Sequence, residues 1–473
     1  MSLLDLPAAY PGTLYEIVEW SIRLVMLFVV PLRRGAAATR GWLLLILLLP
    51  IPGLILFWLI GRPRFPEWRA QRFVRLTPMF EELSARLLAE APKAAIADAG
   101  IPALARTLGL MPAVGGNAFD LIDDYDAGID RLVADIDAAT TAVRILSYIL
   151  ADDATATKVI DALARARARG LPVHVMFDPV GSHKWRRGTL AKLKAAGATV
   201  QEALPFHLIR ARTRRDMRNH RKLFLIDGTI GYVGSQNIVA RDFRPGVVNR
   251  EMLVRVTGPV VAEMNAVFLA DWYLETEVLL DEETVVPPAT GDAVLQMLPS
   301  GADYRLEGFE TMLVWQIHAA MDRVTIVTPY LIPDDALVSA MRTARARGVE
   351  IDLIVSAVVD QRLVHLAQCS YYEAVLAEGV RIHRYRDYLL HAKSVSIDRR
   401  LAIVGSSNVD LRSFQLNEEV SLLLLDADAI ERIEQVQRGY IAASDPLTLD
   451  EWRRRPRVAR VAENLAQMVS PLL

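Results

Sequence analysis

Two stretches of the chain, with His220 and His391 lying 171 residues apart, spell one pattern. The first is Asn219-His-Arg-Lys-Leu-Phe-Leu-Ile-Asp-Gly-Thr-Ile-Gly-Tyr-Val-Gly-Ser-Gln-Asn237, and the second is Leu390-His-Ala-Lys-Ser-Val-Ser-Ile-Asp-Arg-Arg-Leu-Ala-Ile-Val-Gly-Ser-Ser-Asn408. Both read H-x-K-x(4)-D-x(6)-G-S-x-N. Only 7 of the 54 basic residues are lysines, so finding two of them at the same motif position argues against coincidence. The repetition extends upstream. An apolar run Val143–Leu150, a helix through Lys158 to Arg169, Gly170 and a run Val173–Phe177 are echoed by Val324–Thr328, a helix through Ala336 to Arg347, Gly348 and Ile351–Val355. Ala-Arg-Ala-Arg-Gly closes both helices. Strand, helix and glycine stop followed by strand make a βαβ unit. The chain is therefore expected to be α/β, with two βαβ-rich halves, 116–290 and 291–473, related by a pseudo-two-fold axis, the second ending in a helix.

On a strand, residues two apart share a face, so His220 points with Lys222 and His391 with Lys393, while Asp227 and Asp398, counted with them as candidate catalytic residues, sit where each strand turns. The small Gly-Ser-x-Asn residues, Ser235 and Asn237 with their counterparts Ser406 and Asn408, bring backbone and amide donors close to an anion. Two halves around one centre then supply two imidazoles, two ammoniums and two amides. That set suits displacement at a phosphodiester: one imidazole attacks phosphorus, the other protonates the departing oxygen, and the lysines hold the non-bridging oxygens. The scheme needs no metal and no cofactor. Glu251 and Glu419, 31 and 28 residues beyond the histidine of their own motif, are candidates to bond the second ring nitrogen. The basic stretch Arg210, Arg212, Arg214, Arg215, Arg218 and Arg221 is either a solvated face or a receiver of anionic headgroups. Tyr330, at a strand end, is a candidate pocket residue.

The apolar excess, 52% hydrophobic residues and a mean hydropathy of +0.23, lies at the N-terminus. Trp42 to Ile60 carries no charge and as one helix would reach about 28 Å, close to the hydrocarbon thickness of about 30 Å. Ile17 to Leu32 is weaker, interrupted by Glu19 and Arg23. Residues 1–62 are read as a membrane anchor, either a two-helix hairpin, which is preferred, or a re-entrant turn at Pro50-Ile51-Pro52-Gly53. Arginines on both flanks place residues 63–473 on the cytoplasmic face. Residues 63–115 are read as a helical linker. Val458, Val461, Leu465, Met468 and Leu472 mark an amphipathic terminal helix, expected to pack its apolar stripe on the domain rather than on lipid. A net charge of −2 gives no global sign of a nucleic-acid binder, and a single cysteine, Cys369, excludes an internal disulfide framework.

The double motif resembles the phospholipase D superfamily, and residues from about 116 onward are similar to its bacterial cardiolipin synthases. Asp178-Pro-Val-Gly-Ser182, Leu298-Pro-Ser-Gly301, Thr328-Pro-Tyr-Leu-Ile-Pro333, Gly61-Arg-Pro-Arg64 and Ser470-Pro-Leu-Leu473 carry the same resemblance. It implies a phosphatidyltransferase at the bacterial inner membrane, joining phosphatidylglycerol to a second phospholipid through a phosphohistidine, with the first-motif histidine as nucleophile. Members of that group commonly carry Asp-x-His soon after the first motif, where this chain has Asn249-Arg-Glu-Met-Leu253. The second lipid, and the oligomeric state, stay open. The alternatives are a hydrolase releasing phosphatidic acid and a nuclease of the same superfamily.

Overall fold

The computed structural model describes residues 11–34, 36–61, 65–93, 96, 98–205, 216–280, 285–304 and 306–469. The first half contributes β1 (Val114–Ile122), β2 (Val143–Ser147), β3 (Val173–Phe177), β4 (Thr199–Glu202), β5 (Leu223–Ile226), β6 (Ile230–Gly234), β7 (Asn249–Arg250) and β8 (Leu253–Thr257). The second contributes β9 (Ala293–Ser300), β10 (Arg323–Val327), β11 (Leu331–Ile332), β12 (Glu350–Ser356), β13 (Arg381–Tyr385), β14 (Leu389–Leu390), β15 (Ser394–Ile397), β16 (Leu401–Gly405), β17 (Val409–Asp410), β18 (Glu419–Leu424) and β19 (Ser444–Leu447).

Both halves follow one strand path, β4-β3-β2-β5-β6-β8-β1 and β13-β12-β10-β15-β16-β18-β9, and β1 pairs antiparallel with β9 to join them into a fifteen-stranded sheet edged by β19. The expected βαβ units are present. β2 runs parallel to β3 across the helix Ala154–Ala168, and β10 parallel to β12 across Asp335–Ala346. These parallel strands are buried on both faces, β2 throughout and β10 from Val324 on, which is why their apolar residues do not simply alternate with polar ones. Gly170 and Gly348 end the crossover helices at φ of 89° and 92°, a left-handed turn that a side chain would strain.

Three sequence expectations are corrected. First, residues 63–115 are not a linker. Their helices pack on the domain, Phe80, Leu83 and Leu87 entering the same core as Val260, Val267 and Phe268, and Ile101 and Leu108 entering the core of the second half.

Second, Trp42 to Ile60 does not form one helix. It divides into α2 (Ala36–Leu48) and α3 (Pro50–Ile60), because proline at the first position of a helix fits there but cannot continue the helix before it. At 1.5 Å per residue these arms are about 20 Å and about 16 Å long. The preceding α1 (Pro11–Val29) carries the neutralised pair Glu19–Arg23, 3.1 Å apart. Among the described residues no helix is long and apolar enough to cross a membrane, and the expected two-span hairpin is not formed there. The three helices instead pack on one another around Met26, Val30, Trp42, Ile46 and Phe57, and leave Phe28, Leu48 and Trp58 exposed.

Third, the terminal helix Arg457–Val469 lies on the helix Arg362–Ala377 through buried Glu463 and Ala466, not through its apolar stripe. Val458, Val461, Leu465 and Met468 all face outward. Ser470–Leu473 lie outside the described residues.

Candidate active site

The chain entering β5 carries His220 and Lys222, and the chain entering β15 carries His391 and Lys393. Before either strand joins its own sheet, it pairs with the opposite half. His220 N–H donates to Glu418 O at 2.8 Å and Glu418 N–H to Arg218 O at 2.8 Å, while β14 runs parallel to β7 and His391 N–H donates to Arg250 O at 2.8 Å. Each histidine is thereby stitched to the segment that ends in the other half's glutamate.

The carboxylates follow the stitching. Glu419 Oε2 accepts from His220 Nδ1 at 3.0 Å, and Glu251 Oε1 from His391 Nδ1 at 2.8 Å. Spacing does not say which histidine each glutamate serves, and the pairs are exchanged between halves. With Nδ1–H committed to a carboxylate, the Nε2 lone pair of each ring is left for chemistry. Lys393 Nζ donates to His391 O at 2.7 Å and lies 3.4 Å from His391 Nε2; Lys222 Nζ donates to His220 O. Both histidines line one cavity of about 510 Å³ walled by both halves.

Burial drives both imidazoles down to about 4, with the paired glutamate pulling the other way and the neighbouring lysine adding to the fall. Burial likewise brings Lys222 down to about 7 and Lys393 to about 8. For Glu251 and Glu419 burial works against ionisation, but the facing histidine and lysine outweigh it and hold both below the usual carboxylate value. Near neutral pH the free site therefore holds two neutral imidazoles and two anionic carboxylates. An unfolded histidine titrates near 6.5, so the unfolded chain binds more protons between pH 6.5 and 4, and the native state loses stability as pH falls through that window. The loss is on the order of 3 kcal/mol per histidine when complete. Thermal melts should show Tm dropping from pH 6.5 to 4, and the His220→Gln/His391→Gln double variant should flatten that drop. An equal drop in the double variant would refute the assignment.

The remaining sequence candidates divide. Tyr330 lines the cavity, its ring 6.2 Å from that of His391 and its hydroxyl donating to Asp360 Oδ2 at 2.7 Å. Arg218 lines it too: Nε donates to Asp178 Oδ2 at 2.9 Å and Nη2 to Leu204 O at 2.7 Å, while buried Nη1 has no hydrogen-bond partner among the described residues. Arg221 is corrected from substrate contact to buried clamp. Its guanidinium binds Asp271, Glu418 Oε2 at 2.7 Å and Glu419 O at 2.9 Å, and it does not line the cavity. Arg210, Arg212, Arg214 and Arg215 lie outside the described residues.

Asp227 and Asp398 are corrected from catalytic to structural. They occupy left-handed turns at φ of 56° and 50°, roughly 16 Å along the strand from the lysines. Asp227 accepts from the backbone of Thr140, Thr141 and Ala142 at 2.7–3.0 Å, and Asp398 from that of Met321, Asp322 and Arg323 at 2.7–2.9 Å. Each ties a hairpin turn to the start of the neighbouring strand.

Of the Gly-Ser-x-Asn residues, Ser406 Oγ donates to Glu419 Oε2, and Ser235 Oγ accepts from Met252 N at 3.0 Å. Asn237 Oδ1 accepts from Ile149 N at 3.0 Å, Asn408 N donates to Ser413 Oγ at 3.1 Å, and both asparagines line the cavity.

Two groups escape a reading of the sequence. Tyr148 packs edge-on against His220 at 4.7 Å, the counterpart of Tyr330. Asn249 and Asn417 line the cavity with side-chain oxygens that have no hydrogen-bond partner among the described residues. The signal for the second is present in the chain, since Asn-x-Glu precedes each carboxylate at the same spacing: Asn249-Arg-Glu251 and Asn417-Glu-Glu419.

Residues 132–272 and 313–438, one block in each half and each carrying one motif, match the family described as "Cardiolipin synthase, PLD-like domain". The chain belongs to this family. Two relatives named cardiolipin synthase A support the same conclusion over the whole length. That of Pectobacterium carotovorum subsp. carotovorum (strain PC1) is 32% identical, and that of Cronobacter sakazakii (strain ATCC BAA-894) 33%, each alignment covering 98% of this chain and 100% of the relative. Among solved structures, phosphatidylserine synthase of Haemophilus influenzae Rd KW20 shares the fold, with a TM-score of 0.59 at 15% identity over 83% of this chain and 100% of that one. Within the cardiolipin synthase family this chain is thus an enzyme, a phosphatidyltransferase of the phospholipase D superfamily.

Proposed function

We propose that the protein transfers the phosphatidyl group of phosphatidylglycerol to the hydroxyl of a second phospholipid, releasing glycerol and forming cardiolipin. The observation that carries this reading is the crossed pair of His–Glu couples opening on one cavity. In the first step His220 Nε2 attacks phosphorus, the bond from phosphorus to the glycerol oxygen breaks, and protonated His391 gives its proton to that oxygen. In the second, His391 takes the proton of the acceptor hydroxyl, the acceptor oxygen bonds to phosphorus, and the N–P bond to His220 breaks. An arriving phosphodiester anion raises the proton affinity of His391, which loads the acid at the moment it is needed. Lys222 and Lys393 neutralise the non-bridging oxygens. Arg218, through its unpartnered Nη1, and Tyr330 contact the substrate, and Asn249, Asn408 and Asn417 offer acceptors to glycerol hydroxyls.

An asymmetry supports the division of labour. Glu419 is held by two hydroxyls, Ser406 on Oε2 and Ser413 on Oε1 at 2.9 Å, whereas among the described residues the one hydroxyl acting on Glu251 is that of Ser235. The less shared charge of Glu251 better stabilises an imidazolium, which favours His391 as acid and base and His220 as nucleophile.

The helices α1, α2 and α3 seat the protein on one face of the bacterial plasma membrane without crossing it, with the catalytic halves on the cytoplasmic side. The supporting features are their exposed apolar residues and the arginines flanking them; Arg62 and Arg64 lie outside the described residues.

The test is to incubate purified enzyme with vesicles of radiolabelled phosphatidylglycerol and separate the lipids. Cardiolipin is expected; phosphatidic acid as the product would mean that water is the acceptor, and no conversion would overturn the reading. The histidines and lysines supply nucleophile, acid and charge neutralisation, so turnover should be unchanged in EDTA. Loss in chelator restored by one divalent ion would contradict the mechanism.

A further inference from the structure

The terminal helix Arg457–Val469 is amphipathic in an inverted sense. At 100° per residue, Val458, Val461, Leu465 and Met468 form one stripe, and buried Glu463 and Ala466 lie on the opposite side. The inner face is held by an ion pair, Arg455 Nε to Glu463 Oε2 at 2.9 Å, and by Ala466, which packs with Ile332 and Val364. The outer face leaves four apolar side chains 59–80% exposed. A helix that docks through a glutamate and presents valine, leucine and methionine to the outside needs a partner for that stripe.

We infer that this stripe docks on a lipid surface and presents the cavity mouth to it. Three observations fix the occupant. Ile332 and Val364, against which Ala466 packs, also line the active-site cavity, so the helix lies one side-chain layer from the cavity wall. Leu363 and Val359 are exposed apolar residues next in the chain to Val364 and near Gln361, both of which line the cavity, so the apolar surface adjoins the cavity wall. Arg454 and Arg457 are exposed at the start of the stripe, where they meet anionic headgroups while the apolar side chains enter the acyl boundary. The inference rests on the phosphatidyltransferase reading in that it names where the site takes up its lipid. A second copy of this chain is the competing occupant.

The native thiol Cys369 is buried, so a cysteine introduced as Met468→Cys in the full chain can be labelled with an environment-sensitive fluorophore. Vesicles containing phosphatidylglycerol should shift its emission to the blue, saturating with lipid and independent of protein concentration. No shift with vesicles, or a shift that grows with protein concentration in the absence of lipid, would overturn the proposal. In a kinetic arm, Val461→Asp/Leu465→Asp should lower transfer on phosphatidylglycerol vesicles at least 10-fold and leave transfer on monomeric short-chain phosphatidylglycerol unchanged. Equal loss on both substrates, or loss on neither, also overturns it. If the wild-type enzyme converts neither form while the label still shifts, the functional reading fails and the docking surface stands.

Discussion

His391→Ala, given a phosphatidyl ester with a p-nitrophenol leaving group, should release nitrophenol in a burst and retain lipid phosphate on His220. That leaving group needs no proton, so loss of the acid spares attack, but the base that activates the acceptor is gone and the adduct accumulates. His220→Ala should give neither burst nor adduct. On the natural substrate both variants should lose about 10⁴-fold in turnover, the scale on which removal of one member of a catalytic triad is felt. Mass spectrometry placing the phosphate on His391 would reverse the two roles, and no adduct in either variant would count against a covalent intermediate.

Glu419→Gln should behave as His220→Ala does, and Glu251→Gln as His391→Ala. The amide keeps the shape of the carboxylate but offers an N–H to Nδ1, which moves the ring proton to Nε2 and removes the lone pair used in chemistry, at a cost of roughly 10³–10⁴-fold. Because the couples are exchanged, Glu419→Gln blocks the burst and Glu251→Gln traps the adduct. The correspondence between each glutamate variant and its histidine variant is independent of which histidine attacks. If Glu251→Gln instead reproduced His220→Ala, the couples would lie within each half.

The histidines and lysines are legible in the sequence because their spacing is dictated locally, by residues two apart entering one strand. The partnership of the glutamates is not. Glu251 lies 31 residues beyond His220 in sequence, and spacing cannot tell whether a carboxylate stays in its half or crosses the interface. The deciding contact is a long-range pairing of two-residue segments, β7 with β14, too short to leave a pattern. Asp227 and Asp398 show the converse limit: motif membership marks them, yet their carboxylates serve turn geometry. In the N-terminal segment the break at Pro50 is legible, but hydropathy summed over nineteen residues favours a single long span over it. Periodicity finds the terminal stripe, but it gives the direction of an apolar face and not its partner.

The crossed strands also bear on how such a chain can change over generations. A substitution at Glu418 alters the chain that holds His220, and one at Arg250 alters the chain that holds His391, so damage in either copy is felt by the reactive group of its twin. Two copies bound in this way take different roles within one shared site and are not free to change independently. A change that reshapes one must be answered in the other, and the descendants of such a duplication are expected to drift as a single unit rather than as two domains with independent histories.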